Sequence, residues 1–266
     1  MKALLNYPGA KWRLADRIVA LMPPHKSYLE PFFGSGAVLF TKQPSPIETV
    51  NDIDGEIVNF FRVLRERPEA LAAMVSNTPY ARDIYEDACT RLALKPLDRA
   101  YRFYIRDRMA WGFKTRTKTG FKIDVAGREA AYCVRNWNAA PDLLRKCAER
   151  LKQVQVENRP ALDIISRFNC PDVLIYADPP YLLDTRSEKQ YRHEMTDADH
   201  GALLEVLKAH KGRVILSGYD NPLYRESLSG WGTVRWKAYT QSAKRREEVV
   251  WLNFEPPKEG GVGSEL

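Results

Sequence analysis

No apolar stretch in the chain approaches the ~20 residues that a membrane-spanning helix needs, and Met1 to Tyr7 is too short an apolar run for a secretory leader. A soluble, cytoplasmic protein is the expectation. Cysteine is scarce, and Cys89, Cys133, Cys147 and Cys170 form no CxxC pair, which argues against a zinc site and a disulfide framework. His25, His193, His200 and His210 also lack metal-site spacing, so each is assigned a structural or surface role and no metal is required. Neither a lysine-bearing P-loop nor a full GxGxxG is present, so phosphate binding by the usual nucleotide motifs is not supported. Internal repeats and extended low-complexity segments are absent as well.

What remains is an ordinary globular balance, 44% hydrophobic and 28% charged over 266 residues. That length suits one α/β domain, or one such domain carrying an insertion of roughly 80 to 100 residues. The formal charge of +7 modestly favours a polyanionic partner. Along the chain, Leu14, Ile18, Leu21 and Met22 share a helical face that Pro23-Pro24 stops, and Ser27-Tyr28-Leu29 reads as a first strand. After a glycine turn, Ala37 to Phe40 predicts the start of a helix, and Ile47 to Val50 a second strand ending at Asn51-Asp52-Ile53-Asp54. Ile57, Phe60, Phe61 and Leu64 then repeat at helical spacing. This strand, helix, strand, helix order is how a parallel α/β sheet begins.

From about Pro68 to Cys147 the pattern turns to helices rich in arginine and tyrosine, interrupted by a basic, aromatic run from Trp111 to Ile123 that predicts a β-hairpin. The sheet pattern resumes with Val154-Gln155-Val156, Val173 to Tyr176, a helix bearing Leu203, Leu204 and Leu207, and Val214-Ile215-Leu216. Trp231 to Tyr239 and Val249 to Phe254 are expected to pair antiparallel. The fold expected is therefore a Rossmann-like α/β sheet, mostly parallel with an antiparallel final strand, plus a mainly helical insertion with a β-hairpin. Residues 1–65 and 151–256 form the catalytic domain in this reading, 66–150 the insertion and 257–266 a flexible tail.

Asp178-Pro179-Pro180-Tyr181 follows a buried apolar strand, at the end of the sheet where open α/β folds bind ligands. An aromatic amine is a poor nucleophile because its lone pair is delocalised. The Asp178 carboxylate and the Pro179 carbonyl are two acceptors suited to its two hydrogens, drawing the nitrogen toward a tetrahedral geometry. Pro180 stiffens the turn, and Tyr181 offers a flat face for a base swung out of a duplex. Leu29 to Gly36 occupies the first strand-to-helix junction, where Gly34 and Gly36 allow a nucleotide-like ligand close to the backbone. Asp52 stands where an acid accepts ribose hydroxyls, with Asp54 as its rival.

Taken together, Tyr7-Pro8-Gly9-Ala10-Lys11-Trp12, Glu30 to Gly36, Asn51 to Asp54 and Asp178 to Tyr181 resemble, in content and order, the motifs of the Dam-like (D12 class) adenine-specific DNA methyltransferases. The resemblance spans most of the chain. It implies S-adenosylmethionine as methyl donor, with Tyr7, Lys11, Glu30 and Phe32 lining its site and Asp163 at its adenine end. It implies double-stranded DNA as partner, base flipping, and a bacterial or phage-encoded enzyme acting in the cytoplasm. The helical insertion would carry target recognition: Arg99, Arg102 and Arg106 lie along one helical stripe, and Lys114, Arg116 and Lys118 alternate along one face of the expected strand. Phe113, Phe121 and Trp111 are assigned to the hairpin core rather than to groove-reading wedges, and Lys244-Arg245-Arg246 resembles a backbone-contacting loop. Asp-Pro-Pro-Tyr also occurs in enzymes that modify guanine amines of ribosomal RNA, but the Lys11 motif and the insertion favour DNA. A catalytically silent DNA-binding module is disfavoured because every polar group the transfer needs is present.

Overall fold

The computed structural model describes residues 3–112, 114–115, 117–126, 131–185, 189–239 and 245–256. Expectations for Phe113, Arg116, Lys244 and the tail 257–266 lie outside the described residues, as do the side chains of Arg245 and Arg246. In chain order the elements are α1 (Ala15–Ala20), β1 (Ser27–Glu30), β2 (Ile47–Asn51), α2 (Gly55–Glu66), α3 (Pro68–Ser76), α4 (Arg82–Thr90), α5 (Pro96–Met109), α6 (Tyr132–Asn138) and α7 (Ala140–Leu151). There follow β3 (Val154–Glu157), α8 (Ala161–Arg167), β4 (Val173–Ala177), α9 (Asp197–Lys208), β5 (Arg213–Tyr219), α10 (Pro222–Ser227), β6 (Gly232–Tyr239) and β7 (Arg245–Leu252).

One seven-stranded sheet runs in the order β3-β2-β1-β4-β5-β7-β6. The first five strands are parallel, and β7 lies between β5 and β6, antiparallel to both. The expected mostly parallel sheet with an antiparallel final strand is what forms. Strand order reverses between β1 and β4, so the carboxyl ends of these two strands open a crevice at the topological switch point.

Side chains alternate between two apolar layers, as the period of a strand requires. Leu174, Tyr176, Ile215, Val250 and Leu252 join one cluster with α2, α5 and α7, whereas Val173, Ile175, Val214, Leu216, Val249 and Trp251 join another with α8 and α9. Ile57, Phe60, Phe61 and Leu64 are fully buried along α2, and Leu203, Leu204 and Leu207 along α9, as their spacing predicts. The helices between β2 and β3 share the first cluster with the sheet through Phe103, Tyr104, Trp137, Leu144 and Leu151.

Two local expectations are corrected. Residues 37–41 form consecutive turns rather than a helix, with Phe40 N donating to Gly36 O (3.0 Å) and Lys42 N to Val38 O (2.9 Å). Pro44 and Pro46 follow too closely for a regular helix to propagate. Among the described residues, the expected hairpin within 111–123 shows a single antiparallel bridge, Ala110 with Phe121. Trp111 N donates to Gly120 O (2.7 Å) and Lys122 N to Met109 O (2.7 Å), but among the described residues the ladder does not continue: Thr115 N donates instead to Gln190 O (3.2 Å). A two-stranded ribbon with no sheet to join has little to hold it. Phe121 does pack inward, against Tyr80 and Tyr85, whereas Trp111 is 67% exposed and is not hairpin core.

Candidate active site

The site grows from the ends of β1, β2 and β4. Prolines 179 and 180 lack an N–H, so the β4 ladder stops at Ala177 and Asp178 stands just past it. Asp178 Oδ2 is 2.9 Å from the Lys11 ammonium, while its Oδ1 is buried and has no partner. Lys11 itself is buried, donates to Gly9 O (2.7 Å), sits 3.5 Å from Glu248 Oε1 and lies 4.8 Å over the Tyr181 ring. Burial opposes its charge, but Asp178 and Glu248 outweigh that and hold the ammonium well above the usual lysine range. Tyr181 stands edge-on to Tyr219, with ring centroids 4.6 Å apart, and its hydroxyl donates to Glu248.

Beside this cluster a cavity of about 550 Å³ is lined by Tyr7, Lys11, Glu30, Phe32, Gly34, Asp52, Asp178 and Pro180, among others. Glu30, at the end of β1, is buried with Oε2 unpartnered, and burial pushes its carboxyl up to about 8. Asp52 accepts from Gly34 N (2.9 Å) and Asp54 N (2.9 Å), tying the glycine turn to the end of β2. Burial raises Asp52 to about 6 even though those amides favour its charge. Asp54 is occupied differently: it caps α2 by accepting from Glu56 N (2.9 Å) and pairs with Arg192 (2.9 Å). Gly34 adopts φ +48°, where an added Cβ would stand 3.2 Å from the Tyr7 ring.

A model of the D12 class N6 adenine-specific DNA methyltransferases matches residues 7–243. The chain belongs to this family. Over 78 residues it is 31% identical to the type II methyltransferase M1.LlaDCHI of Lactococcus lactis subsp. cremoris, covering 29% of this chain and 27% of that one. It is 27% identical over 73 residues to the DNA N-6-adenine-methyltransferase of Escherichia phage P1, covering 27% and 10%, and 30% identical over 69 residues to a DNA adenine methylase of Vibrio cholerae, covering 26% and 24%. The matched stretches thus span about a quarter or less of the length of these relatives. A solved SAM-dependent methyltransferase from Agrobacterium tumefaciens aligns with a TM-score of 0.36 at 11% identity, over 91% of this chain and 59% of that one.

In this D12 chain most residues expected in the site converge, and several do not. Gly36 does not line the cavity; at φ +70° its missing side chain makes room for Phe33 and Phe40, whose rings an added Cβ would approach to 2.6 and 2.7 Å. Asp163 sits in the first turn of α8, where an acid suits the helix dipole, while its neighbours Ala161 and Leu162 line the cavity instead. The arginine stripe is drawn into pairs within the protein. Arg102 is buried and held by Asp87 (2.7 Å) and Asp98 (3.2 Å), Arg99 pairs with Glu56, and Arg106 donates to Ala88 O (2.9 Å). These heads serve packing of α5 against α2 and α4.

Arg99, Arg106, Lys114 and Lys118 nevertheless line a second cleft of about 630 Å³. Arg192 forms part of the wall of both cavities, linked to Asp54 on one side and to Thr115 by its backbone N–H (2.8 Å) on the other. Sequence reading missed Arg192 and its neighbour Tyr191, whose hydroxyl donates to Pro8 O (3.0 Å), because no periodic pattern marks this loop. It also missed Glu248. A signal existed: Glu248 is in phase with Val250 and Leu252 on the buried face of β7, an inward charge in an apolar series.

Proposed function

We propose that this protein transfers a methyl group from S-adenosylmethionine to the exocyclic amine of adenine in double-stranded DNA, acting on a base turned out of the duplex in the bacterial cytoplasm. The observation that carries the reading is the unpartnered Oδ1 of Asp178, buried beside the Tyr181 ring at the switch point of a parallel sheet. A buried carboxylate oxygen without a partner is costly unless a ligand completes it.

The cavity suits a nucleoside-sized donor in volume, in the bare backbone at Gly34, in the acid at the end of β2 and in the orphaned Glu30 oxygen. Asp52 would accept from the ribose, Tyr7 and Phe32 would enclose the rings, and Glu30 would take the polar end. S-adenosylmethionine supplies an electrophilic methyl group when bound. The chain's own part is to make the amine nucleophilic. Lys11 occupies Oδ2 of Asp178, which leaves Oδ1 to accept one amine hydrogen while the Pro179 carbonyl accepts the other. Tyr181, braced by Tyr219, provides the stacking face. Residues 66–150 would recognise the target, with Lys114 and Lys118 on the second cleft facing phosphates.

Incubation with labelled S-adenosylmethionine and, separately, duplex DNA and RNA tests the reading, with the product nucleoside identified by mass spectrometry. The expected product is N6-methyldeoxyadenosine from DNA. Methylguanine in RNA, or no transfer to either polymer, would sink the proposal.

A further inference from the structure

The carboxylate of Glu248 is buried on β7, 70 residues downstream of Asp178, in register with Tyr219 of β5 and Trp236 of β6. It accepts the Tyr181 hydroxyl and stands 3.5 Å from the Lys11 ammonium through the same Oε1. Lys11 in turn is 2.9 Å from Asp178 Oδ2. A single carboxylate thus touches the two groups that flank the catalytic acid, and nothing in the expected transfer chemistry calls on it directly.

We infer that Glu248 is a positioning residue for methyl transfer: it fixes the stacking ring of Tyr181 through its hydroxyl and holds Lys11 on Oδ2 of Asp178, so that Oδ1 stays turned to the target amine. This inference rests on the proposed methyltransferase reading. Two observations favour it over a packing role. An ionisable group on the buried face of a strand is expensive unless paired, and here both partners belong to the candidate catalytic cluster rather than to the core. Tyr181 has a high barrier to losing its proton, because burial and then Asp178 and Glu248 raise its phenol, so it remains a donor toward Glu248.

The test compares the wild type, Glu248→Gln, Tyr181→Phe and the double variant. Glu248→Gln is expected to slow single-turnover methylation of a target duplex by about 10- to 100-fold while leaving the Kd for S-adenosylmethionine within about threefold. Glu248→Gln removes the charge and weakens the hydrogen bond from charge-assisted to neutral, whereas Tyr181→Phe removes the same bond from its other partner without altering charge. If the bond is the means of positioning, the double variant should be slowed by clearly less than the product of the two single effects. Turnover by Glu248→Gln within about twofold of wild type, fully multiplicative losses, or an equal loss of cofactor affinity would each overturn the assignment. A readout independent of activity is the NMR signal of Tyr181 in protein carrying ζ-carbon-labelled tyrosine, assigned by its disappearance in Tyr181→Phe. That signal should move in Glu248→Gln, and an unmoved signal overturns the contact whether or not the enzyme turns over. Failure of the wild type to methylate any DNA, with the signal moving as expected, would instead locate the error in the functional reading.

Discussion

At the amino end of β2, Glu48 is buried and fully engaged: Lys42 (2.5 Å) and Ser45 N (3.0 Å) reach one oxygen, and Arg150 spans both at 2.5 and 2.8 Å. At the carboxyl ends of β1 and β4, Glu30 Oε2 and Asp178 Oδ1 are equally buried and have no partner. The same sheet therefore holds one closed charge cluster and one open one. Burial raises the proton affinity of Glu48, but hydrogen bonds from Arg150, Lys42 and Ser45 outweigh it and hold the carboxyl below its ordinary range; at Glu30 burial outweighs the opposing pull of Tyr28 and Lys42, and the carboxyl is pushed up to about 8. The closed cluster fixes structure, while the open one has acceptors left for a ligand.

The sharpest way to break this comparison is to exchange the expected consequences. Asp178→Ala should cut methyl transfer by about a thousandfold or more, with S-adenosylmethionine affinity close to wild type in calorimetry. Near-normal turnover would remove Asp178 from the chemistry. Glu48→Gln should do the reverse, costing about 3–5 kcal/mol of stability in urea titration because two buried cations lose their partner, with the folded fraction still active. Loss of activity without loss of stability would refute the division.

Affinity sharpens it further. Asp52→Ala should weaken S-adenosylmethionine binding about tenfold, roughly 1.4 kcal/mol, and more than Asp54→Ala does, since Asp52 stands directly past the end of β2 and also holds the Gly34 turn. The opposite ranking would move the ribose contact to Asp54.

The pH dependence of stability follows from the open end. Glu30 and Asp52 there, together with Asp107 of α5, which is buried and accepts from Asn6 N (2.8 Å), are raised by burial to about 8, 6 and 7, so the folded state binds these protons more tightly than the unfolded chain. Their contribution is fully present below the ordinary carboxylate range and is lost as pH rises through those values. The ligand-free protein should therefore lose thermal stability between about pH 5 and pH 8, and Glu30→Gln should flatten that slope. A melting temperature that rises over the same interval in the wild type would contradict it.

The smallest effect is expected outside both clusters. Lys118→Ala, on the second cleft, should weaken binding to all duplexes alike and reduce the log-log salt slope by about one unit. Unchanged affinity and slope would take Lys118 off the DNA path, whereas a change in site preference alone would make it a base reader.

Much of this was legible locally. The period of 3.6 in α2 and α9, the apolar runs of β4 and β5, the prolines that end β4 and the acid that ends β2 are properties of neighbours in sequence, and backbone geometry converts them directly into structure. The same local reading erred where the outcome depended on distant partners. Lys114 and Lys118 alternate as a strand would, yet among the described residues no neighbouring strand pairs them. Arg102 lies on a basic stripe, yet Asp87 and Asp98 take up its head.

By itself the sequence determined the strands and helices of a mostly parallel sheet and the acid of Asp178-Pro179-Pro180-Tyr181 at a strand's carboxyl end, because each follows from short-range periodicity and from residues that end strands; the strand order that opens the crevice between β1 and β4 did not follow from either. Only the tertiary structure decided which charges meet. Tyr181 and Glu248 are 67 residues apart in the chain, and Arg192 and Asp54 are 138 apart. A charge's partner is set by how strands and loops stack in space, and a buried carboxylate becomes a closed structural pair or an open acceptor according to what that stacking brings within hydrogen-bonding reach.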